Sequence, residues 1–287
     1  HKKVRLSNKE IVLGCFNPWD LRNYFLLRNR IKLLKKKYNK LIIHAHLTWP
    51  LFFTSLIKSS SSIKKIYTEH NTYNKRRKIY FLRYLERIVY KQYDYITFIS
   101  KGTKSNLENW LGIKLNIKSS KVIYNGARNF KYSFSNKKNN DKLNIISIGS
   151  LTYQKGFDIG IKSVSICREI VNEYKIYGEG PERNKLEKLI NKLKLNNIVK
   201  IYGFNNKLNE INLNCNLALM PSRWEGFGLV SIELLSAGIP IIANSVEGLN
   251  EVIRNCEAAF LINNLNYKLL SNEIYKYNLG LRFANGL

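Results

Sequence analysis

Two glutamates, Glu225 and Glu233, stand eight residues apart in the segment PSRWEGFGLVSIELLSAGIP, residues 221–240. The apolar run ending at Met220 predicts a strand, Gly226 and Gly228 mark a loop, and a helix is predicted from Leu229. That arrangement sets a helix N-terminus and its free N–H groups at the C-terminal edge of a parallel sheet, where anions and nucleotides bind. The two glycines let backbone approach a phosphate closely. A carboxylate inside such a helix can accept both hydroxyls of a ribose, and one in the loop before it can face the same cleft. Read alone, the pair also suits a structural role. Glu225 then complements the helix dipole and Glu233 is a solvated helix residue.

A second glycine loop, GSLTYQKG at 149–156, carries Lys155 just before a predicted helix. An ammonium there can meet a phosphate. The spacing is not that of a Walker loop, which argues against a kinase or ATPase. A plain strand-to-helix turn explains the loop equally well. Residues 178–181, GEGP, read as a tight turn entering a helix. All four histidines, His1, His44, His46 and His70, fall in the first half. His44 and His46 alternate at one strand end, and His70 follows another. A His-x-His pair with a third histidine has the makings of a metal site, but no Asp or Cys cluster supports one. Two strand-end histidines facing a cleft fit substrate contact better. His44 also reads as a satisfied, partly buried histidine.

Short apolar strands alternate with amphipathic stretches, the pattern of α/β architecture with parallel sheets. In the first half, a basic helical segment at 24–38 precedes strands at 41–44 and 65–68. A helix at 83–90 and strands at 95–99 and 121–124 follow, the last closed by Asn125-Gly126. In the second half, strands are predicted at 143–148, 174–177, 198–202, 217–220 and 240–243. Helices are predicted at 157–171, 182–195 and 229–237, the last ending at Gly238. The polar stretch 128–142 reads as a linker. The expected organisation is one domain at 1–130, a linker at 131–142 and a second, similar domain at 143–287.

With 45 % hydrophobic and 12 % aromatic residues the 287-residue chain can build a full core, which excludes intrinsic disorder. The four cysteines, Cys15, Cys167, Cys215 and Cys256, lie far apart and read as ordinary thiols rather than a disulfide framework. Forty-eight basic against 20 acidic residues leave a net charge of +28, which favours anionic partners. Basic clusters at 35–37 and 75–78, the second interleaved with Tyr73, Tyr80, Phe81 and Tyr84, suit nucleic acid, an anionic membrane face, or a solvated surface inflated by lysine-rich composition. The most apolar stretch, 41–57, is too short to span a bilayer and contains His44, His46 and Pro50. The chain opens on His1 with no signal-peptide pattern, so a piece of a longer protein is expected.

Residues 222–233, SRWEGFGLVSIE, followed by LLSAGIPIIA, resemble the glutamate-x7-glutamate signature of family 4 retaining glycosyltransferases of GT-B fold. Further matches fall in the family's order: Ile148-Gly149 with Lys155-Gly156, the GEGP turn, Tyr202-Gly203-Phe204, and Gly248-Leu249-Asn250-Glu251. In the first half IIHAHL (42–47), YTEH (67–70), FIS (98–100) and IYNGA (123–127) resemble the acceptor domain.

The resemblance implies two Rossmann-like domains whose sheets face a central cleft. It implies a donor site in which Glu233 holds the ribose and Glu225 contacts the donor sugar. Gly226, Phe227, Gly228 and Leu229 would present the loop and helix start to the sugar and diphosphate. Lys155 would neutralise the leaving group, so that neither metal nor cofactor is needed. Gly149, Ser150 and Gly178 would line the site, and Gly203 and Phe204 would lie near the base. His70 would reach the donor sugar, with His44 and His46 on the acceptor side. Two departures stand out. Ser150 replaces a usual arginine, and the family's first strand, glycine-rich loop and following helix would precede His1.

The expectation is a retaining, metal-independent transferase using a nucleotide-sugar, UDP-linked by family habit, and a glycan or polyprenyl-linked acceptor in O-antigen, lipopolysaccharide or capsule biosynthesis. It would be cytoplasmic, peripheral at the inner membrane face. A phosphorylase or synthase on the same fold and an inactive truncated remnant are the alternatives. A nucleic-acid-binding protein has no use for the Glu225–Glu233 block.

Overall fold

A computed structural model describes residues 17–116, 118–127, 142–204 and 215–284. His1 and Cys15 lie outside them, as does the expected 131–142 linker apart from Lys142. The chain divides into two compact units between Ile123 and Tyr124, with Asn71–Tyr73 and Ser100–Gly102 grouping with the second.

The first unit contains α1 (Arg22–Lys37), β1 (Leu41–His46), α2 (Thr48–Ser55), β2 (Ile63–Glu69), α3 (Leu82–Lys91), β3 (Tyr95–Phe98), α4 (Lys101–Leu111) from Thr103 onward, and β4 (Ser120–Val122). Its four strands are parallel in the order β1-β2-β3-β4. Leu51, Tyr67, Tyr90, Phe98, Leu107 and Leu111 form the core between strands and helices. Pro50 sits in the first turn of α2, where a missing N–H costs nothing.

The second unit contains β5 (Leu143–Ile148), α5 (Phe157–Ile166), β6 (Val171–Tyr177), α6 (Arg183–Lys192), β7 (Val199–Tyr202), β8 (Leu217–Met220), α7 (Leu229–Ser236), β9 (Ile241–Asn244), α8 (Glu247–Ile253), β10 (Ala259–Ile262) and α9 (Tyr267–Ala284). The strands are parallel in the order β10-β9-β8-β5-β6-β7. This is the doubly wound order of a Rossmann sheet, and its direction reverses between β5 and β8. Ile145 and Leu217 face each other across that reversal.

One predicted helix is too long. The run at 157–171 breaks after Ile166 into a 3-10 turn, Arg168–Ile170, and Val171 opens a strand. Within that strand Val171, Tyr174 and Ile176 are buried. A β-branched apolar run continues a helical pattern by composition, but sheet burial rewards it as a strand. The three described cysteines, Cys167, Cys215 and Cys256, are free thiols. Burial pushes the first two up to about 12. Among the described residues no helix is long and apolar enough to cross a membrane.

Candidate active site

The strand order determines what meets. β5 and β8 are neighbours at the reversal, so the loops leaving their carboxyl ends emerge side by side. The loop after β5 ends in a 3-10 turn, Tyr153–Lys155, and the loop after β8 carries Ser222 to Gly228. Lys155 and Glu225, 70 positions apart, thereby meet: Nζ lies 2.6 Å from Oε1. Their side chains are 17 % and 5 % exposed. The same carboxylate oxygen accepts from Ser222 Oγ at 2.7 Å.

The two loops are laced together by their neighbours. Arg223 N–H donates to the Gln154 carbonyl at 2.7 Å. Its guanidinium donates to the Tyr153 carbonyl at 2.7 Å and forks onto both oxygens of Asp158 at 2.9 and 2.8 Å. It also lies 3.9 Å from the centre of the Tyr153 ring. Gln154 Nε2 returns a bond to the Trp224 carbonyl at 3.0 Å. Bidentate geometry fixes direction as well as distance. A β-carbon on Gly248, at the start of α8, would fall 2.5 Å from the carbonyl oxygens of both Glu225 and Gly226. The backbone of the loop therefore rests directly on α8.

Gly228, left-handed at φ 83°, turns the chain into α7. Glu233 follows one turn in and is half-buried. Leu229 is partly exposed at the helix start, whereas Phe227 is buried and packs on Tyr124 with ring centres 5.8 Å apart. The Phe227 side chain is thus committed to packing and does not face solvent.

The remaining predicted residues line the same sheet edge. Gly149 N–H donates to the Tyr177 carbonyl and Gly178 N–H to the Tyr202 carbonyl, stepping across β5, β6 and β7. Ser150 is exposed beside them. Gly203 and Phe204 follow edge strand β7, and Phe204 projects into solvent. At the ends of β6 and β7, Tyr177 and Tyr202 stack with centres 4.8 Å apart and planes 16° apart.

His44, His46 and His70 belong to the first unit. Parallel pairing of β1 with β2 sets His46 opposite Thr68, two residues before His70. His46 Nδ1 lies 2.8 Å from His70 Nε2, and His44 Nε2 lies 2.7 Å from Thr68 Oγ1. The His44 and His46 ring centres are 4.2 Å apart. Desolvation, then the neighbouring imidazoles, pushes His44 below its ordinary 6.5, and the same causes lower His70. A bond between two imidazole nitrogens needs one of them as acceptor, so full protonation breaks it. The unfolded chain takes up these protons first as pH falls. The cluster therefore costs stability below the ordinary histidine range and nothing above it. We expect the unfolding midpoint of the first unit to be flat above about pH 7 and to fall below about pH 6. His44→Gln with His70→Gln should flatten that slope, as followed by thermal melts across pH. Among the described residues no group of three or more His, Cys, Asp or Glu is arranged to hold a metal ion.

Sequence spacing brings Glu225 and Glu233 to one loop and one helix, but it does not reveal Ser222 as a partner of Glu225, nor Arg223, Gln154 and Asp158 as the frame of the loop that carries it. Arg223 and Asp158 are 65 positions apart, and only the adjacency of β5 and β8 pairs them.

Comparison with known proteins gives the family and the fold. Residues 129–278 match the model of glycosyl transferases group 1, and residues 4–128 match that of glycosyltransferase family 4. The chain belongs to this glycosyltransferase family. It is 30 % identical over 251 residues to an uncharacterised 41.2 kDa protein in the cps region of Klebsiella pneumoniae, covering 79 % of this chain and 66 % of that protein. It is 30 % identical over 166 residues to the O-antigen biosynthesis glycosyltransferase WclY of Escherichia coli, covering 54 % of this chain and 44 % of that one. The chain thus spans less than two thirds of the length of both relatives. Among solved structures, Anabaena Alr3699/HepE in complex with UDP and glucose superposes with a TM-score of 0.74 at 20 % identity, over 91 % of this chain and 74 % of that one. The fold is GT-B.

Proposed function

We propose that the second unit is a donor domain that binds a nucleotide-sugar, UDP-linked, and that the protein transfers the sugar with retention and without a metal ion. The observation that carries this reading is the Lys155–Glu225 pair at the reversal point of the sheet, beside a glycine-capped helix that bears Glu233. Loss of a nucleoside diphosphate builds negative charge on the leaving oxygens. Lys155 and the N–H groups at the start of α7 are fixed before reaction and would stabilise that charge. Glu225 would then hold a donor-sugar hydroxyl, with Ser222 and Lys155 keeping its carboxylate in place. Glu233 would accept from the ribose, and Gly149, Ser150, Gly178, Gly203 and Phe204 would line the path to the base. His70 would act on the donor sugar, with His44 and His46 serving the acceptor.

The acceptor is a glycan or polyprenyl-linked sugar of surface polysaccharide synthesis, used at the cytoplasmic face of a membrane to which the protein binds peripherally. The O-antigen enzyme among its relatives and the charge of +28 support this reading.

Calorimetric titration with UDP, GDP and ADP in the presence of chelator tests the donor site. UDP should bind, and Glu233→Ala should weaken it about 100-fold or more, the worth of two hydrogen bonds to a carboxylate. Equal affinity in Glu233→Ala would remove that residue from the ribose site, and no binding of any nucleotide would overturn the donor reading.

A further inference from the structure

α3 is inverted. Helices on a globular surface bury their apolar face and solvate the polar one. Here Phe81, just before the helix, and Tyr84, Leu85 and Ile88 within it form an i, i+3, i+4, i+7 stripe on the solvent side, at 70, 58, 47 and 60 % exposure. The buried side holds Val89 and Tyr90 but also Glu86, which is 1 % exposed. Glu86 is satisfied there by Arg76 Nε and Trp110 Nε1, both at 2.8 Å. The inward acid is thus accounted for, and the outward apolar stripe is not.

The stripe is bordered by cations. Arg83 lies over the Tyr80 ring at 5.5 Å and Arg87 over the Tyr84 ring at 5.6 Å. Lys78 and Lys91 are exposed at its two ends. Residues 75–91 hold seven basic residues and one acid, Glu86, whose charge is spent inside. Tyrosine rings with stacked guanidinium groups and a phenylalanine–isoleucine ridge are the composition of a helix that lies in a lipid interface.

We propose that α3 docks on an anionic lipid surface, with Phe81, Tyr84, Leu85 and Ile88 entering the headgroup boundary and Lys78 and Lys91 meeting lipid phosphates. Charge chooses this occupant. A second copy paired through the same face by two-fold symmetry would set the two sets of cations against each other. A negative membrane leaflet offers a flat, anionic and apolar partner to both components at once. The proposal rests on the peripheral-membrane part of the functional reading and is independent of the donor chemistry.

Vesicle flotation of the full chain tests it, using equimolar phosphatidylglycerol and phosphatidylcholine against phosphatidylcholine alone. Binding should be confined to the anionic vesicles. The exposed-site variant Phe81→Ser/Ile88→Ser should lower the bound-to-free ratio about tenfold or more, and Lys78→Glu/Lys91→Glu should lower it by a similar factor. Both variants should keep the wild-type melting temperature and nucleotide affinity. No flotation would overturn the membrane reading itself, and equal flotation with both lipids would overturn the anionic surface proposed for α3. Anionic binding that survives Phe81→Ser/Ile88→Ser would overturn only the assignment to α3. A wild-type dimer that this variant splits in sedimentation would assign the face to a second copy instead.

Discussion

Glu225→Gln should cut sugar transfer by about 10²–10³-fold while UDP affinity holds or rises slightly. The substitution keeps size and hydrogen-bonding reach and removes one negative charge. That charge lies 2.6 Å from Lys155 and is almost wholly buried. In the proposed reaction it fixes a sugar hydroxyl and holds Lys155 in register with the departing diphosphate. An amide still accepts from Ser222 but no longer orients the ammonium by charge. Lys155 then turns toward a bound diphosphate, which explains why ground-state nucleotide binding should not suffer. Turnover and UDP titration on the same preparation separate the two effects. Wild-type turnover in Glu225→Gln would remove this residue from the reaction. Equal loss of turnover and of UDP affinity would mark a folding defect.

Gly156→Ala should destabilise the second unit by about 3 kcal/mol and abolish nucleotide binding with it. Gly156 is left-handed at φ 64°, and a β-carbon there would sit 2.0 Å from the Pro221 carbonyl oxygen. The first feature alone costs an alanine about 1 kcal/mol. The second cannot be relieved by a side-chain rotation, because the obstacle is backbone. The two loops must separate, and the Arg223–Asp158 fork and the Lys155–Glu225 pair separate with them. Thermal unfolding would show the loss of stability, and titration with UDP the loss of the site. A variant that melts at the wild-type temperature and binds UDP normally would show that the loops have room to part.

Much of the site is legible in the residues. The stretch 221–240 declares its own local structure, because glycines, an apolar run and a helix stop at Gly238 are cues that act within a few positions. Strand β8 has the predicted bounds, Leu217–Met220, since a four-residue apolar run buried on both faces has no competing reading. Cues of this kind fail where two structures reward the same composition. Val171 is an example: it continues an apolar helical pattern, and only pairing of β6 with β5 makes it a strand. The helices α2, α4, α8 and α9 and strand β10 are not announced by the sequence pattern. Leu270 and Ile274 of α9, for instance, become core residues only through packing beside α5 in the core of the second unit. The inverted face of α3 belongs here as well. Periodicity predicts that the helix is amphipathic but not which side turns inward.

The sequence by itself determined the class of architecture, the two glycine loops, the helix that bears Glu233 and the family signature, because each rests on short-range stereochemistry or on spacing within one segment. Only the tertiary structure decided that Lys155 and Glu225 form one buried pair, that Arg223 and Asp158 frame it, and that His46 and His70 share a hydrogen bond. Those partners lie 24 to 70 positions apart. Strand order sets their meeting, and strand order is the outcome of the whole sheet burying its faces at once.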